Sequence, residues 1–329
     1  MLYLPKEIIL EVYQYISVKD VVKLCSTNDQ FDLFQLSNYE KYLCLEQDIS
    51  ELACRLNKIN IVRMLIAKKI DLNKTNTYKN TMLDTSCKFG NIEIVKLLIN
   101  NGGTVGSNSS MNGLHYACIN QYYDITKLLL ERVCIDAFSV NAVDKDKRSP
   151  LYFAVKGNNY ELTKLLIDFG AWVDQPSKYF VPIEYAVSNG NKEITKLLLK
   201  KGAKVQNNGL HNFSRRVYSA LSRAKDTEMI ELLCEFGGDL NFQYRSGVYL
   251  IHKASGYNNS VLLEFLLENG VNVNIQCTRG YTPLHIAVNY KKIECIKLLL
   301  KYNADKTLLN STGQSVMDTK DPEILELLQ

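Results

Sequence analysis

The stretch Gly280-Tyr281-Thr282-Pro283-Leu284-His285-Ile286-Ala287, followed by Ile296-Lys297-Leu298-Leu299-Leu300, decides the fold. Leu284 and Ala287 stand three residues apart and share one face of a short helix. Pro283 suits the first turn of that helix, where an amide hydrogen has no partner anyway. The small Ala287 allows a following helix to approach closely. Leu298 opens an apolar pair on a charged, aliphatic background, which reads as a second helix.

The same arrangement recurs along the chain. The first members of the apolar pair are Met64, Leu97, Leu128, Leu165, Leu197, Leu232, Phe265 and Leu298, with steps of 33, 31, 37, 32, 35, 33 and 33. Fourteen residues before most of these anchors stands an aliphatic: Leu83, Leu114, Leu151, Ile183, Ile251 and Leu284. Eleven before stands a small residue: Ser86, Ala117, Ala154, Ala186, Ala254 and Ala287. Five after, glycine occurs in five repeats, as Gly102, Gly170, Gly202, Gly237 and Gly270, and fits a left-handed turn that ends the second helix. A fixed period near 33 residues marks a repeat architecture, whose units bury their apolar faces on one another.

These residues resemble the ankyrin repeat. The Thr282-Pro283-Leu284-His285 stretch, Gly170-Ala171-Trp172-Val173-Asp174, Gly202-Ala203-Lys204-Val205 and Gly270-Val271-Asn272-Val273-Asn274 carry the likeness, which covers residues 46–329. The resemblance implies a mainly α fold: an ankyrin-repeat solenoid of helix-turn-helix units with β-hairpin fingers, about eight units and a truncated C-terminal cap. Departures are expected at Glu131 to Ser139, where about four extra residues predict a longer turn, and near Arg216 to Leu221, where the sixth unit has lost Thr-Pro-Leu-His. Asp321-Pro322-Glu323 predicts a final helix with acids at its N-terminus.

Residues 1–45 lack the repeat phase. Ile8, Val12 and Ile16 fall on one helical face, Val21 and Leu24 on another, and Asp20 can cap the second helix. Leu4-Pro5-Lys6-Glu7-Ile8-Ile9, then Val12-Tyr13 and Asp20-Val21-Val22-Lys23-Leu24, look like an F-box, a small helical domain that docks on the Skp-type adaptor of cullin–RING ubiquitin ligases. The likeness implies adaptor binding by Leu4, Pro5, Ile8, Ile9, Val12, Ile16, Val21 and Leu24. The alternative is a helical segment that only caps the first repeat.

Composition narrows the function classes. A net charge of +4 without a block of like charges leaves no nucleic-acid footprint. No apolar run is long enough to cross a bilayer, and Pro5 and Glu7 interrupt any signal-peptide pattern. A cytoplasmic protein is expected. The nine cysteines have no CxxC spacing and an odd count, which favours reduced, packed thiols over a disulfide or metal framework.

No phosphate loop, His-Glu-x-x-His or nucleophile context occurs, so no catalytic, cofactor-binding or metal-binding residue is assigned and an enzyme is the weakest of the readings. His115, His252 and His285 occupy the His of Thr-Pro-Leu-His, where the family uses it in hydrogen bonds between neighbouring units. Asp144 and Asp146 are expected as solvated charge on a hairpin tip.

The family binds partners with its hairpin tips and concave first-helix face. The candidate tip residues are Tyr78, Tyr179, Phe180, Phe242, Tyr244, Arg245, Arg279 and Tyr281, with Lys79, Lys145 to Arg148 and Lys178 beside them. Tyr and Arg bring large area or directed hydrogen bonds to interfaces, although 20 tyrosines also suit an AT-rich coding sequence. Two functions follow: a substrate receptor joining an unknown target protein to a ubiquitin ligase, or a plain binding scaffold with a helical cap. The combination resembles proteins of large DNA viruses and intracellular bacteria that redirect host ubiquitination, which extends the expected location to the host cytoplasm.

Overall fold

A computed structural model of the chain describes residues 46–106, 111–134, 137–178, 180–207, 218–244 and 247–329. The F-box-like segment, with Leu4, Pro5, Ile8, Ile9, Val12, Ile16, Val21 and Leu24, lies outside the described residues, as do Tyr179 and Arg245. The described residues divide into two compact units, one of those up to 157 with 168–171 and the other of those in 158–167 with 172–329.

In the first unit, short helices alternate in pairs: α1 (Glu46–Arg55) and α2 (Ile59–Ala67), α3 (Met82–Lys88) and α4 (Ile92–Asn100), α5 (Gly113–Ile119) and α6 (Tyr123–Arg132). A four-residue helix α7 (Ala137–Val140) and then α8 (Pro150–Lys156) follow. First helices pack on first helices, α1 on α3, α3 on α5 and α5 on α8, while α2, α4 and α6 form a second row. The insertion after Leu130 is therefore not only a turn, because it winds into α7.

The second unit holds α9 (Tyr160–Asp168), α10 (Pro182–Ser188), α11 (Lys192–Lys200), a 3-10 helix (Ala220–Arg223), α12 (Thr227–Glu235), α13 (Leu250–Gly256), α14 (Ser260–Glu268), α15 (Pro283–Asn289), α16 (Ile293–Lys301) and α17 (Pro322–Leu328). The sixth repeat replaces its first α-helix by the 3-10 turn, which packs between α10 and α13. The Ser222 hydroxyl donates to the Ser219 carbonyl there at 2.8 Å, a local bond of the kind that competes with regular helix.

Local chemistry sets the ends of these helices. Pro150, Pro182, Pro283 and Pro322 lie in the first turn of their helices. Asp321 caps α17 by accepting from the amides of Glu323 and Ile324. The glycine expected after each second helix has positive φ, 86° at Gly102 and 92° at Gly202. Lys69 and Asn303 take the same left-handed turn in the first and eighth repeats, with φ of 57° and 60°. In the third repeat Val133 sits at φ −127°, and the turn is lost where the insertion begins.

The core follows a register one residue away from the predicted anchors. Met64, Leu97, Leu128, Leu165, Leu197, Leu232, Phe265 and Leu298 are all partly exposed. Their successors Leu98, Leu129, Leu166, Leu198, Leu233, Leu266 and Leu299 have no exposed surface. Successive helical residues point about 100° apart, so only one of each pair faces the neighbouring helices. Thr126, Thr163 and Thr195 are also fully buried, and their hydroxyls donate to the carbonyls of Tyr122, Asn159 and Asn191 at 2.8, 2.6 and 2.7 Å.

The expected β-hairpin fingers are mostly turns. Among the described residues the strands are the pair β1 (Gln206–Asn207) and β2 (Tyr218–Ser219), antiparallel, with an isolated bridge between Gln243 and Tyr249. Elsewhere a pair of backbone bonds closes the tip without a ladder, as from Asn76 N to Asn80 O and Lys79 N to Asn76 O, both 2.9 Å, or from Cys277 N to Tyr281 O at 3.0 Å and Gly280 N to Cys277 O at 2.8 Å.

Candidate protein-binding surface

Three of the four histidines are structural joints between repeats. The Nε2 atoms of His115, His252 and His285 meet the carbonyl oxygens of Arg148, Tyr281 and Gln314 at 3.1, 2.9 and 3.2 Å. Their Nδ1 atoms face the backbone amides of Asn112, Tyr249 and Thr282 at 3.4, 3.2 and 3.2 Å. In His252 and His285 an Nδ1 that accepts and an Nε2–H that donates define a neutral ring, while the His115 Nδ1 also meets Asn112 Oδ1 at 2.8 Å. Burial lowers the pKa of all three, that of His115 to about 4. The acidic counterpart of this joint in the second repeat is Asp84, fully buried, whose carboxylate accepts from the amides of Thr81 at 2.9 Å and Gly106 at 3.0 Å and also from Gly113. Burial pushes the Asp84 carboxyl up, and these amides pull against that rise.

Asp144 does not behave as free solvated charge. Its side chain has no exposure and folds into its own turn, accepting from the amides of Asp146 at 2.9 Å and Arg148 at 2.8 Å and from Arg148 Nη2 at 2.6 Å. Asp146 adds a longer ion pair to Arg148 at 3.4 Å. The Lys145 to Arg148 tip is thereby fixed from within.

The seven described cysteines are free thiols, and Cys54, Cys87, Cys118, Cys134 and Cys295 are buried. Burial pushes Cys54 and Cys118 up to about 12, far from the range in which a thiolate reacts. Among the described residues no group of three or more His, Cys, Asp or Glu is placed to hold a metal ion. No helix among them is long and apolar enough to cross a membrane.

The described tip residues differ in what they offer a partner. Tyr78 is 74% exposed at the turn closed by Asn76 and Asn80. Arg279 is exposed, and its carbonyl accepts from Ser311 N at 3.0 Å. Tyr281 is partly exposed and lies edge-on to His285 at 5.8 Å. Phe180 is partly exposed and stands edge-on to Tyr185 at 5.0 Å. Phe242, in contrast, is buried at 6% exposure and supports Tyr244, whose ring meets it edge-on at 4.9 Å. Phe242 is therefore a core residue and no contact residue. Burial pushes the Tyr244 phenol up to about 12, so the ring stays neutral.

Cations from the first helices join these aromatics. In the first unit Arg55 and Lys88 lie over the Phe89 ring at 5.6 and 5.7 Å, and Lys88 over Tyr116 at 5.4 Å. Together with Tyr78, Asn80 and Glu51 they line a hollow of about 280 Å³. In the second unit Arg223 lies over Phe180 at 4.8 Å and Tyr257 at 5.7 Å, and Lys253 over Tyr257 at 5.4 Å and Tyr244 at 5.5 Å. Cation–π contacts hold large flat surfaces and charges in fixed geometry. Sequence reasoning placed Phe180 and Tyr244 among the candidates but missed Lys88, Phe89, Arg223, Lys253 and Tyr257. The available signal was a basic or aromatic residue at the end of successive first helices, visible in Lys88-Phe89, Tyr257 and Tyr290.

The family pattern described as Ankyrin repeats (3 copies) matches residues 50–138, 114–208 and 218–310. This chain belongs to the ankyrin-repeat family. It is 32% identical over 129 residues to the ankyrin repeat protein FPV014 of fowlpox virus (strain NVSL), a match covering 38% of this chain and 28% of that protein. It is 30% identical over 113 residues to the ankyrin repeat protein L371 of Acanthamoeba polyphaga mimivirus, covering 33% and 14%. It is 24% identical over 148 residues to the protein VAPYRIN-LIKE of Medicago truncatula, covering 42% and 32%. The chain thus spans no more than a third of the length of these relatives.

Proposed function

We propose that this chain is a protein-binding receptor, whose ankyrin repeats hold a target protein while residues 1–45 engage a Skp-type adaptor of cullin–RING ubiquitin ligases. The carrying observation for target binding is the pair of cation–aromatic clusters on the first helices, one in each unit, with exposed Tyr78, Phe89 and Tyr257 at their rims. Large amphipathic side chains in fixed positions are what protein interfaces are built on. The support for the adaptor is the spacing of Leu4, Pro5, Glu7, Ile8, Ile9, Asp20 and Leu24. The fowlpox virus and mimivirus relatives support work in the cytoplasm of an infected host, where such adaptors are available.

Capture of a purified Skp-type adaptor by the full chain tests the adaptor half. Wild type should retain the adaptor, and Leu4→Asp with Ile8→Asp should release it while the unfolding midpoint of the repeats stays unchanged. Absence of capture by wild type refutes this half and leaves a binding scaffold whose N-terminal residues cap the first repeat.

A further inference from the structure

The second unit brings five side chains into one alternating row: Phe180, Arg223, Tyr257, Lys253 and Tyr244. Tyr257 lies between the two cations and is 54% exposed, while Arg223 and Lys253 are partly exposed. Several lysines of the unit are held in ion pairs. Lys192 pairs with Asp226 at 3.2 Å, Lys291 with Asp321 at 2.6 Å, Lys297 with Glu294 at 3.8 Å and Lys301 with Glu264 at 3.3 Å. Neither Arg223 nor Lys253 has a carboxylate partner among the described residues.

Among the described residues the buried Arg223 Nε has no hydrogen-bond partner. Two rings lie within cation–π distance of the guanidinium, and a partly exposed cation without a carboxylate neighbour favours an incoming anion. The row therefore combines two cations without a carboxylate partner among the described residues and an exposed aromatic ring between them.

We infer that this row is the docking site for an acidic segment of the protein partner, with carboxylates directed to Arg223 and Lys253 and an apolar or aromatic side chain laid on Tyr257. The inference rests on the receptor reading above and specifies the partner's chemistry. A basic segment would face two like charges, and a wholly apolar one would leave both cations without acceptors. Opposite charge across such a surface favours the encounter and rejects wrong partners.

The full chain, screened against a random peptide library on phage, tests this directly. Enriched peptides should be acidic, and a fluorescein-labelled representative should bind by anisotropy with an affinity that falls with added salt. Arg223→Gln with Lys253→Gln should weaken it about tenfold or more, the scale of losing charged contacts at an interface. Tyr257→Ala should weaken it about fivefold or more if the ring carries the predicted contact. Lys196→Gln with Lys297→Gln removes the same charge from second helices and should stay within about twofold of wild type, which separates a docking site from general electrostatics. Equal loss in the two double variants, no loss in the first, or enrichment of neutral or basic peptides overturns the inference, while any specific enrichment leaves the receptor reading standing. Failure to enrich any peptide removes both the inference and the target-binding half of that reading.

Discussion

Leu197 and Leu198 are chain neighbours in α11, yet Leu198 has no exposed surface whereas Leu197 is partly exposed beside it. Leu198→Ala should therefore cost about 2–5 kcal/mol, the range for deleting a buried leucine and leaving a cavity. Leu197→Ala should cost clearly less, because much of the deleted surface was already near water. Urea unfolding of the two variants measures the difference, and equal midpoints would contradict this register.

The three joint histidines make stability depend on pH. The folded state keeps His115 neutral down to about pH 4, while an unperturbed imidazole titrates at 6.5. Between these values the unfolded chain binds more protons, so stability present above pH 6.5 is lost as the pH falls towards 4. For His115 the loss is on the order of 3 kcal/mol, and the lowered pKa values of His252 and His285 act in the same direction. His115→Gln should start less stable but show a shallower loss over that window. Chemical unfolding at a series of pH values decides it, and parallel curves for the variant and wild type would remove His115 as a source.

The parts legible in the sequence are those fixed by short-range chemistry. The period of the apolar pairs, the prolines of the first turns, the glycines at the left-handed turns and the joint histidines depend on residues a few positions apart. Which leucine of each pair faces inward depends instead on the angle at which one helix meets the next. Asp144 looked solvated because the sequence does not show that Arg148 and two amides of its own turn close over it. The row through Arg223, Tyr257 and Lys253 draws on different repeats, and Arg223 lies in the repeat that has lost the family pattern. Sequence spacing carries little information about such a juxtaposition, whereas stacking creates it.

The left-handed turn after each second helix permits a test with opposite signs. Lys69 occupies it at φ 57°, a conformation that costs a non-glycine residue roughly 1–2 kcal/mol. Lys69→Gly removes that strain against the added freedom of the unfolded chain, for a net gain of about 0.5–1 kcal/mol. Val133 stands at the equivalent position with φ −127°, where there is no such strain to relieve. Val133→Gly should therefore lose about 0.5–1 kcal/mol. Thermal unfolding of the pair is sufficient, and a stabilised Val133→Gly would show that the turn persists in the third repeat.

Asp84 supports the strongest prediction at a single residue. It occupies the position held by histidine in the third, seventh and eighth repeats, but it accepts where the histidine Nε2 donates. Thr81, Gly106 and Gly113 are all buried and all send their amides to its carboxylate. A side chain at position 113 would meet Asp84 Oδ1 at 3.2 Å and Cys87 Sγ at 3.1 Å, so the close approach itself depends on a residue without Cβ. Asp84→Ala leaves these donors unmet, each costing ~1–3 kcal/mol, for a total of at least ~3 kcal/mol. Asp84→His should not restore the loss, because its Nδ1 could replace the acceptor for Thr81 while its Nε2–H would face the donors of Gly106 and Gly113. Hydrogen exchange should show those two amides losing protection in both variants, together with a lower unfolding midpoint. Protection retained in Asp84→His would mean that the second repeat can use the same joint as the others.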